Sequence, residues 1–179
     1  MTTANKITIM RMILIPIFLV LLYTGHVFIA LGVYIFACLS DVADGYIARH
    51  YNQVTNFGKF MDPLADKMLV LSAMCFFIDN SQMAGWVVAI VLLREFGVSG
   101  LRMVAVEQGK VIAAAKSGKL KTGVTMVSLG FMMVSPVWWP NACGAIDAAA
   151  SCLIVLTTVY SGCEYFVKNK AVFKAQANS

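Results

Sequence analysis

Charged residues are scarce in this chain of 179 residues: 13% are Asp, Glu, Lys or Arg, against about 25% in an ordinary soluble domain. Another 60% are apolar, more than a soluble fold of this length can bury. Although the net charge is +5, no segment is both basic and polar, so we expect no nucleic-acid partner. The five cysteines form no C-x-x-C pair and predict neither a disulfide framework nor a metal site. This composition is typical of an integral membrane protein.

Long apolar segments take the place of the missing charge. A bilayer core about 30 Å thick requires roughly 20 mostly apolar helical residues for each crossing. We therefore predict an all-α integral membrane protein, a single domain over residues 1–179 with six transmembrane helices. The predicted spans are residues 12–23, 27–49, 60–78, 84–101, 120–137 and 145–167. Because the first span is short, we expect residues 1–11 to form a short interfacial helix. Residues 168–179 are expected to form a cytoplasmic tail.

The basic residues predict the orientation of these spans. All 14 lie before the first span, around the second-to-third and fourth-to-fifth connections, or after the last span. The other three connections contain no Lys or Arg. Since the basic side of a membrane protein faces the cytoplasm, we expect both termini to be cytoplasmic. The expected location is the inner (cytoplasmic) cell membrane.

The acidic residues are few but clustered. Of the nine in the chain, four fall within residues 41–66. On helices, Asp41 and Asp44 share one face, and Asp62 and Asp66 share another. The short connection makes the two helices antiparallel neighbours, so the four carboxylates can converge near the cytoplasmic boundary. They are either paired with nearby basic side chains or, as hard oxygen ligands, hold Mg²⁺ or Mn²⁺. Two adjacent ions would suit a phosphoryl transfer.

The pattern D-x2-D-G-x2-A-R-x8-G-x3-D-x3-D is complete over residues 41–66 and resembles the signature of the CDP-alcohol phosphotransferase family. The resemblance implies a homodimeric six-helix membrane enzyme that transfers a substituted phosphate from a CDP-linked donor to an alcohol and releases CMP. It implies that Asp41, Asp44, Asp62 and Asp66 hold the divalent ions, two in number, and that Asp66 is the catalytic base. The residues expected to bind CDP-diacylglycerol are Asn5, Thr8, Asp41, Gly45, Ala48, Arg49 and Gly58.

Segments outside this signature, at residues 5–8, 52–59, 94–102 and 118–122, resemble those of bacterial family members that join CDP-diacylglycerol to sn-glycerol 3-phosphate. The resemblance implies phosphatidylglycerophosphate and CMP as products. Basic side chains suit such an acceptor, because guanidinium and ammonium groups bind phosphate through charge-assisted hydrogen bonds. Glu95 is a candidate for orienting one of them. The candidate acceptor-phosphate residues are Lys59, Arg94, Arg102, Lys119 and Lys121.

Two alternatives remain open from the sequence. One is a synthase of the same family with another acceptor alcohol, such as serine, inositol, choline or phosphatidylglycerol. The other is a divalent-cation transporter, which would distribute acids through the membrane depth. In this chain the acids of the outer half are Asp79 and Asp147, both expected at loop positions, which favours the enzyme.

Overall fold

The computed structural model describes the backbone of residues 3–50, 56–107 and 115–170, and the side chains of residues 9–40, 67–106 and 115–170. Within these ranges the chain is helical and contains no strand, which confirms the all-α prediction. The helices are α1 (Thr3–Tyr23), α2 (Val27–His50), α3 (Asn56–Asp79), α4 (Gly85–Glu107), α5 (Lys116–Trp138) and α6 (Cys143–Lys168).

Several helices extend beyond the apolar spans that predicted them. Helix α3 begins at Asn56, α4 continues to Glu107 and α5 begins at Lys116. Hydropathy marks the apolar part of a helix, whereas Lys, Glu and Ala sustain helical backbone outside it. The polar residues at these ends are therefore held on helical faces, where they can form a site.

The N-terminal segment differs from its prediction. A separate interfacial helix over residues 1–11 is wrong, because α1 continues without a break from Thr3 to Tyr23. The sequence explains this: residues 5–11 contain neither Gly nor Pro, and the proline inside α1 is Pro16. Arg11, within this helix, is only 1% exposed. The segment forms the first turns of the first long helix.

A buried apolar core joins the helices. It includes Phe18 of α1, Tyr34 of α2, Phe77 of α3, Leu129 of α5 and Ile154 of α6, each 3% exposed or less. Helix α1 packs on α2 and α3, α6 packs on α4 and α5, and α2 meets α5 between these groups. This packing brings parts of α3, α4 and α5 together around polar side chains.

The outer surface carries many large apolar side chains. Leu93 is 76% exposed and Phe96 is 67% exposed, as expected where lipid rather than water covers a protein. Among the described residues, Lys116–Trp138 and Cys143–Lys168 are long and apolar enough to cross a bilayer. These features support a membrane protein.

One polar cluster is enclosed where the connection between α3 and α4 meets α5 and α6. Asp147, expected in a loop, lies instead in α6 and is 4% exposed. Pro136 has no N–H, so the Met132 carbonyl lacks its usual helical partner. The Gln82 side-chain amide donates to this carbonyl at 3.1 Å and to Asp147 Oδ2 at 3.0 Å. Ser135 donates to Asp147 Oδ1 at 2.8 Å. The cluster thus supplies a hydrogen-bond partner for the Met132 carbonyl, which Pro136 leaves without its helical one.

Candidate active site

The four motif aspartates lie on two helices joined by residues 51–55. Asp41 and Asp44 belong to the last part of α2, and Asp62 and Asp66 to the first half of α3. The helical backbone keeps the spacing that places each pair on one helical face. The side chains of the four lie outside the described residues, as do those of Asn5, Thr8, Gly45, Ala48, Arg49, Gly58 and Lys59.

The chemistry of the motif fits a hard divalent cation. Its ligand groups are carboxylates, which suit Mg²⁺ or Mn²⁺, whereas zinc sites favour thiolate and imidazole. Among the side chains that the structure describes, no group of three or more His, Cys, Asp or Glu could hold a metal ion. The metal prediction therefore depends on the motif in α2 and α3.

A second polar group joins α3, α4 and α5. Glu95 Oε1 accepts hydrogen bonds from Lys121 Nζ at 2.9 Å and from Arg94 Nη1 at 3.0 Å. Lys67 Nζ lies 3.7 Å from Glu95 Oε2 and donates to Ser99 Oγ at 2.8 Å. We call these five residues the Glu95 cluster. Lys67 directly follows Asp66, so the cluster lies beside the second half of the aspartate motif along α3.

The Glu95 cluster holds more positive than negative charge in a sheltered place. The side chain of Lys121 is 5% exposed and that of Arg94 is 13% exposed, although such residues are seldom buried without a partner. Among the described side chains, three cations face one carboxylate, which leaves the cluster an excess of two positive charges. Arg94 Nε is also buried without a hydrogen-bond partner among the described residues. Among the described side chains, the cluster therefore has a donor and positive charge that an anionic ligand could pair with.

Two glycines make room for the Arg94 side chain. A Cβ atom at Gly118 of α5 would lie 3.3 Å from Arg94 Nη2, and one at Gly162 of α6 would lie 3.2 Å from Arg94 Cγ. Both distances are shorter than ordinary carbon contacts. The Arg94 side chain therefore occupies space that is open only because α5 and α6 carry glycine at these two positions.

A small cavity of about 150 Å³ adjoins the cluster between α3, α4 and α5. Lys67, Glu95 and Lys121 form part of its lining, and Val91 and Phe96 contribute apolar surface. A cavity with charged and apolar walls can receive a polar group next to an aliphatic one. It is adjacent to the surface where large apolar side chains such as Phe96 are exposed.

The structure brings together two of the predicted acceptor-phosphate residues, Arg94 and Lys121. Arg102 lies elsewhere: its Nε donates to the Tyr165 hydroxyl at 3.0 Å, and its guanidinium carbon lies 5.6 Å from the centre of that ring. Lys119 is exposed and is not among the residues that contact Glu95. The sequence prediction omitted Lys67 from the acceptor group, although its place next to Asp66 could have indicated it.

Comparison with known proteins identifies the family. The family model for CDP-alcohol phosphatidyltransferase matches residues 1–162. A CDP-diacylglycerol–glycerol-3-phosphate 3-phosphatidyltransferase of Bacillus subtilis (strain 168) is 36% identical over 185 residues, covering 95% of this chain and 96% of the relative. A protein of the same name from Escherichia coli (strain K12) is 38% identical over 146 residues, covering 77% and 80%. These matches confirm the resemblance based on residues 41–66, and the chain belongs to the CDP-alcohol phosphatidyltransferase family.

Proposed function

We propose that this enzyme transfers the phosphatidyl group of CDP-diacylglycerol to sn-glycerol 3-phosphate, giving phosphatidylglycerophosphate and CMP. The main support is that relatives covering most of the chain, in Bacillus subtilis and Escherichia coli, are named for this transfer. The aspartate motif, whose four acidic residues lie on α2 and α3, resembles the family's signature and falls within the residues that the family model matches. The charge of the Glu95 cluster then indicates which alcohol is the acceptor.

The charge of the Glu95 cluster favours a phosphorylated acceptor. A phosphate monoester carries between one and two negative charges at neutral pH, which matches the two positive charges in excess around Glu95. Inositol carries no charge and choline is a cation, so neither would be stabilised by that excess. We assign the acceptor phosphate to Arg94 and Lys121, with Lys67 at its side; Lys59, Arg102 and Lys119 are secondary candidates.

The donor and the metal belong to the motif helices in this proposal. Asp41, Asp44, Asp62 and Asp66 would hold two Mg²⁺ or Mn²⁺ ions. Ions bound there would neutralise negative charge on the donor pyrophosphate and on the departing CMP. The donor nucleotide would lie against small residues and polar groups: Asn5, Thr8, Gly45, Ala48, Arg49 and Gly58.

The reaction is a direct displacement at phosphorus. Arg94 and Lys121 hold the acceptor by its phosphate, which directs its terminal hydroxyl towards α3. Asp66 accepts the hydroxyl proton as the oxygen attacks the phosphorus that carries diacylglycerol. A new P–O bond to the acceptor forms, the P–O bond to CMP breaks, and the electron pair leaves with CMP. Positioning both substrates contributes much of the acceleration, because a carboxylate is a weak base for an alcohol.

The membrane arrangement follows from the distribution of basic residues. In this proposal all six helices span the inner cell membrane, both termini are cytoplasmic and the active site faces the cytoplasm. We further propose a homodimer, as in other members of the family. Cysteine labelling of the exposed residues Thr24 and Lys170 from one side of sealed vesicles tests the orientation: the two positions should react from opposite faces.

The decisive test is CMP release by the purified enzyme with CDP-diacylglycerol, Mg²⁺ and glycerol 3-phosphate as sole acceptor. We expect CMP and phosphatidylglycerophosphate in equal amounts, and no CMP with serine, inositol or choline. Faster release with one of those alcohols would replace the proposed acceptor. Uptake of Mg²⁺ into liposomes that contain the protein, without CMP formation in the presence of any acceptor, would instead indicate a transporter.

A further inference from the structure

Glu95 has a role that its charge alone would not suggest. A carboxylate in a phosphate-binding site repels the ligand, so its presence requires a compensating benefit. Glu95 contacts cations from three helices: Lys67 of α3, Arg94 of α4 and Lys121 of α5. We infer that Glu95 is a positioning residue, which fixes these cations in the arrangement that binds the acceptor phosphate beside the aspartate motif.

The side chains that Glu95 contacts are long and flexible. Lys and Arg lose about 1.5–2 kcal/mol of rotamer freedom when they are held in one conformation. Glu95 Oε1 accepts from both Lys121 and Arg94, at 2.9 and 3.0 Å, so a single atom sets the separation of the two donor groups. Their remaining N–H groups can then approach one phosphate together without further ordering.

Lys67 links this arrangement to the reacting end of α3. Its Nζ lies between Ser99 Oγ and Glu95 Oε2, at 2.8 and 3.7 Å. Because Lys67 follows Asp66 in the same helix, the ion pair fixes α4 against the turn of α3 that carries the proposed base. Glu95 thereby connects the acceptor's phosphate end to the end where its hydroxyl must react.

Electrostatic attraction and positioning predict opposite results for one substitution. Glu95→Gln removes a negative charge and raises the excess around the site from two positive charges to three. If attraction alone governed binding, acceptor affinity would rise. If Glu95 positions the cations, affinity falls, because an amide oxygen is a weaker acceptor for two charged donors.

The experiment, which rests on the proposed function, measures the KM of glycerol 3-phosphate and of CDP-diacylglycerol by CMP release. For Glu95→Gln we expect the acceptor KM to rise roughly 10- to 100-fold, the change expected when a charge-assisted hydrogen bond to the phosphate is lost, with the donor KM within twofold. Inhibition by inorganic phosphate should weaken in parallel. A lower or unchanged acceptor KM would overturn the inference, and so would an equal rise for both substrates.

Two further variants keep the test decisive. Glu95→Asp retains the charge but retracts the carboxylate by about 1.5 Å, one carbon–carbon bond, so a folded variant with wild-type acceptor KM would contradict positioning. Glu164→Gln is the matched control, since Glu164 pairs with Lys168 on α6 outside the cluster, and its acceptor KM should not change. If the wild-type enzyme released no CMP with glycerol 3-phosphate, the proposed function would fail, whereas the inference fails only in an active enzyme.

Discussion

A substitution at Gly118 tests whether the position of the Arg94 side chain governs acceptor binding. The substitution Gly118→Ala adds one methyl group, whose carbon would lie 3.3 Å from Arg94 Nη2. A comfortable contact requires about 3.6–3.8 Å, so the guanidinium must move by roughly 0.3–0.5 Å. The obstructed atom is the far end of a flexible side chain, so we expect the arginine to yield rather than the helices.

The expected effect falls on acceptor binding. A hydrogen bond to a charged group is worth about 1.5–3 kcal/mol when lost entirely, so weakening one by such a shift should raise the KM of glycerol 3-phosphate about four- to tenfold. The KM of CDP-diacylglycerol should stay within twofold, because Arg94 is assigned to the acceptor. Steady-state CMP release at varied concentrations of each substrate measures both values, and thermal unfolding in detergent shows whether the variant is folded.

Gly123→Ala provides the matched control in the same helix. A Cβ atom at Gly123 would meet nothing within 4 Å, so the substitution should leave both KM values unchanged. It should also stabilise α5 by about 0.5–1 kcal/mol, the usual difference between Ala and Gly inside a helix. A folded Gly118→Ala enzyme with wild-type acceptor KM would refute the assignment of Arg94 to the acceptor phosphate.

Three other predictions concern the motif, the metal and the enclosed polar cluster. Asp66→Asn should abolish CMP release while the unfolding temperature stays near that of the wild type; near-normal turnover would exclude Asp66 as the base. Chelation of divalent ions should stop CMP release and added Mg²⁺ should restore it, whereas full activity without metal would contradict the role of the motif. Asp147→Ala should destabilise the fold by about 2–5 kcal/mol, because two hydrogen bonds to a charged group contribute about 1.5–3 kcal/mol each and are not additive. The control is Asp79→Ala, at an exposed residue that pairs with Tyr23, which should lower the free energy of unfolding by about 1 kcal/mol or less. Equal losses of thermal stability in the two variants would contradict a structural role for the Asp147 cluster.

The sequence predicted the helices and the family because both depend on local patterns. Apolar segments mark the six helices, and the spacing between Asp41 and Asp66 carries the family signature. Helix ends were less predictable: α3 and α5 each begin four residues before their predicted spans, and Asp147, expected at a loop position, lies within α6. Pro136 lies inside α5, as the span to residue 137 predicted. Hydrogen bonds from a distant helix connection satisfy the carbonyl that the proline leaves open, and no local pattern records them.

The candidate site was predictable only in part for the same reason. Arg94 and Lys121 were predicted from charge and from the family resemblance, and the structure places both against one carboxylate. The sequence indicated Glu95 as a partner for a single cation. That Lys67 also joins it depends on how α3 packs against α4, which is a property of the tertiary fold. Arg102 was a reasonable candidate by charge, but its contact with Tyr165 could not be known without α6.

The two polar clusters, around Asp147 and around Glu95, differ in whether their charges and hydrogen-bond donors all have partners. Around Asp147, each carboxylate oxygen has one donor, and both hydrogens of the Gln82 amide are used. The polar groups named here all have partners, so this cluster stabilises the fold. Around Glu95, one carboxylate faces three cations, and Arg94 Nε has no partner among the described residues. Because buried donors and charges without partners are costly, that imbalance supports the proposed anion site beside the part of α3 that follows Asp66.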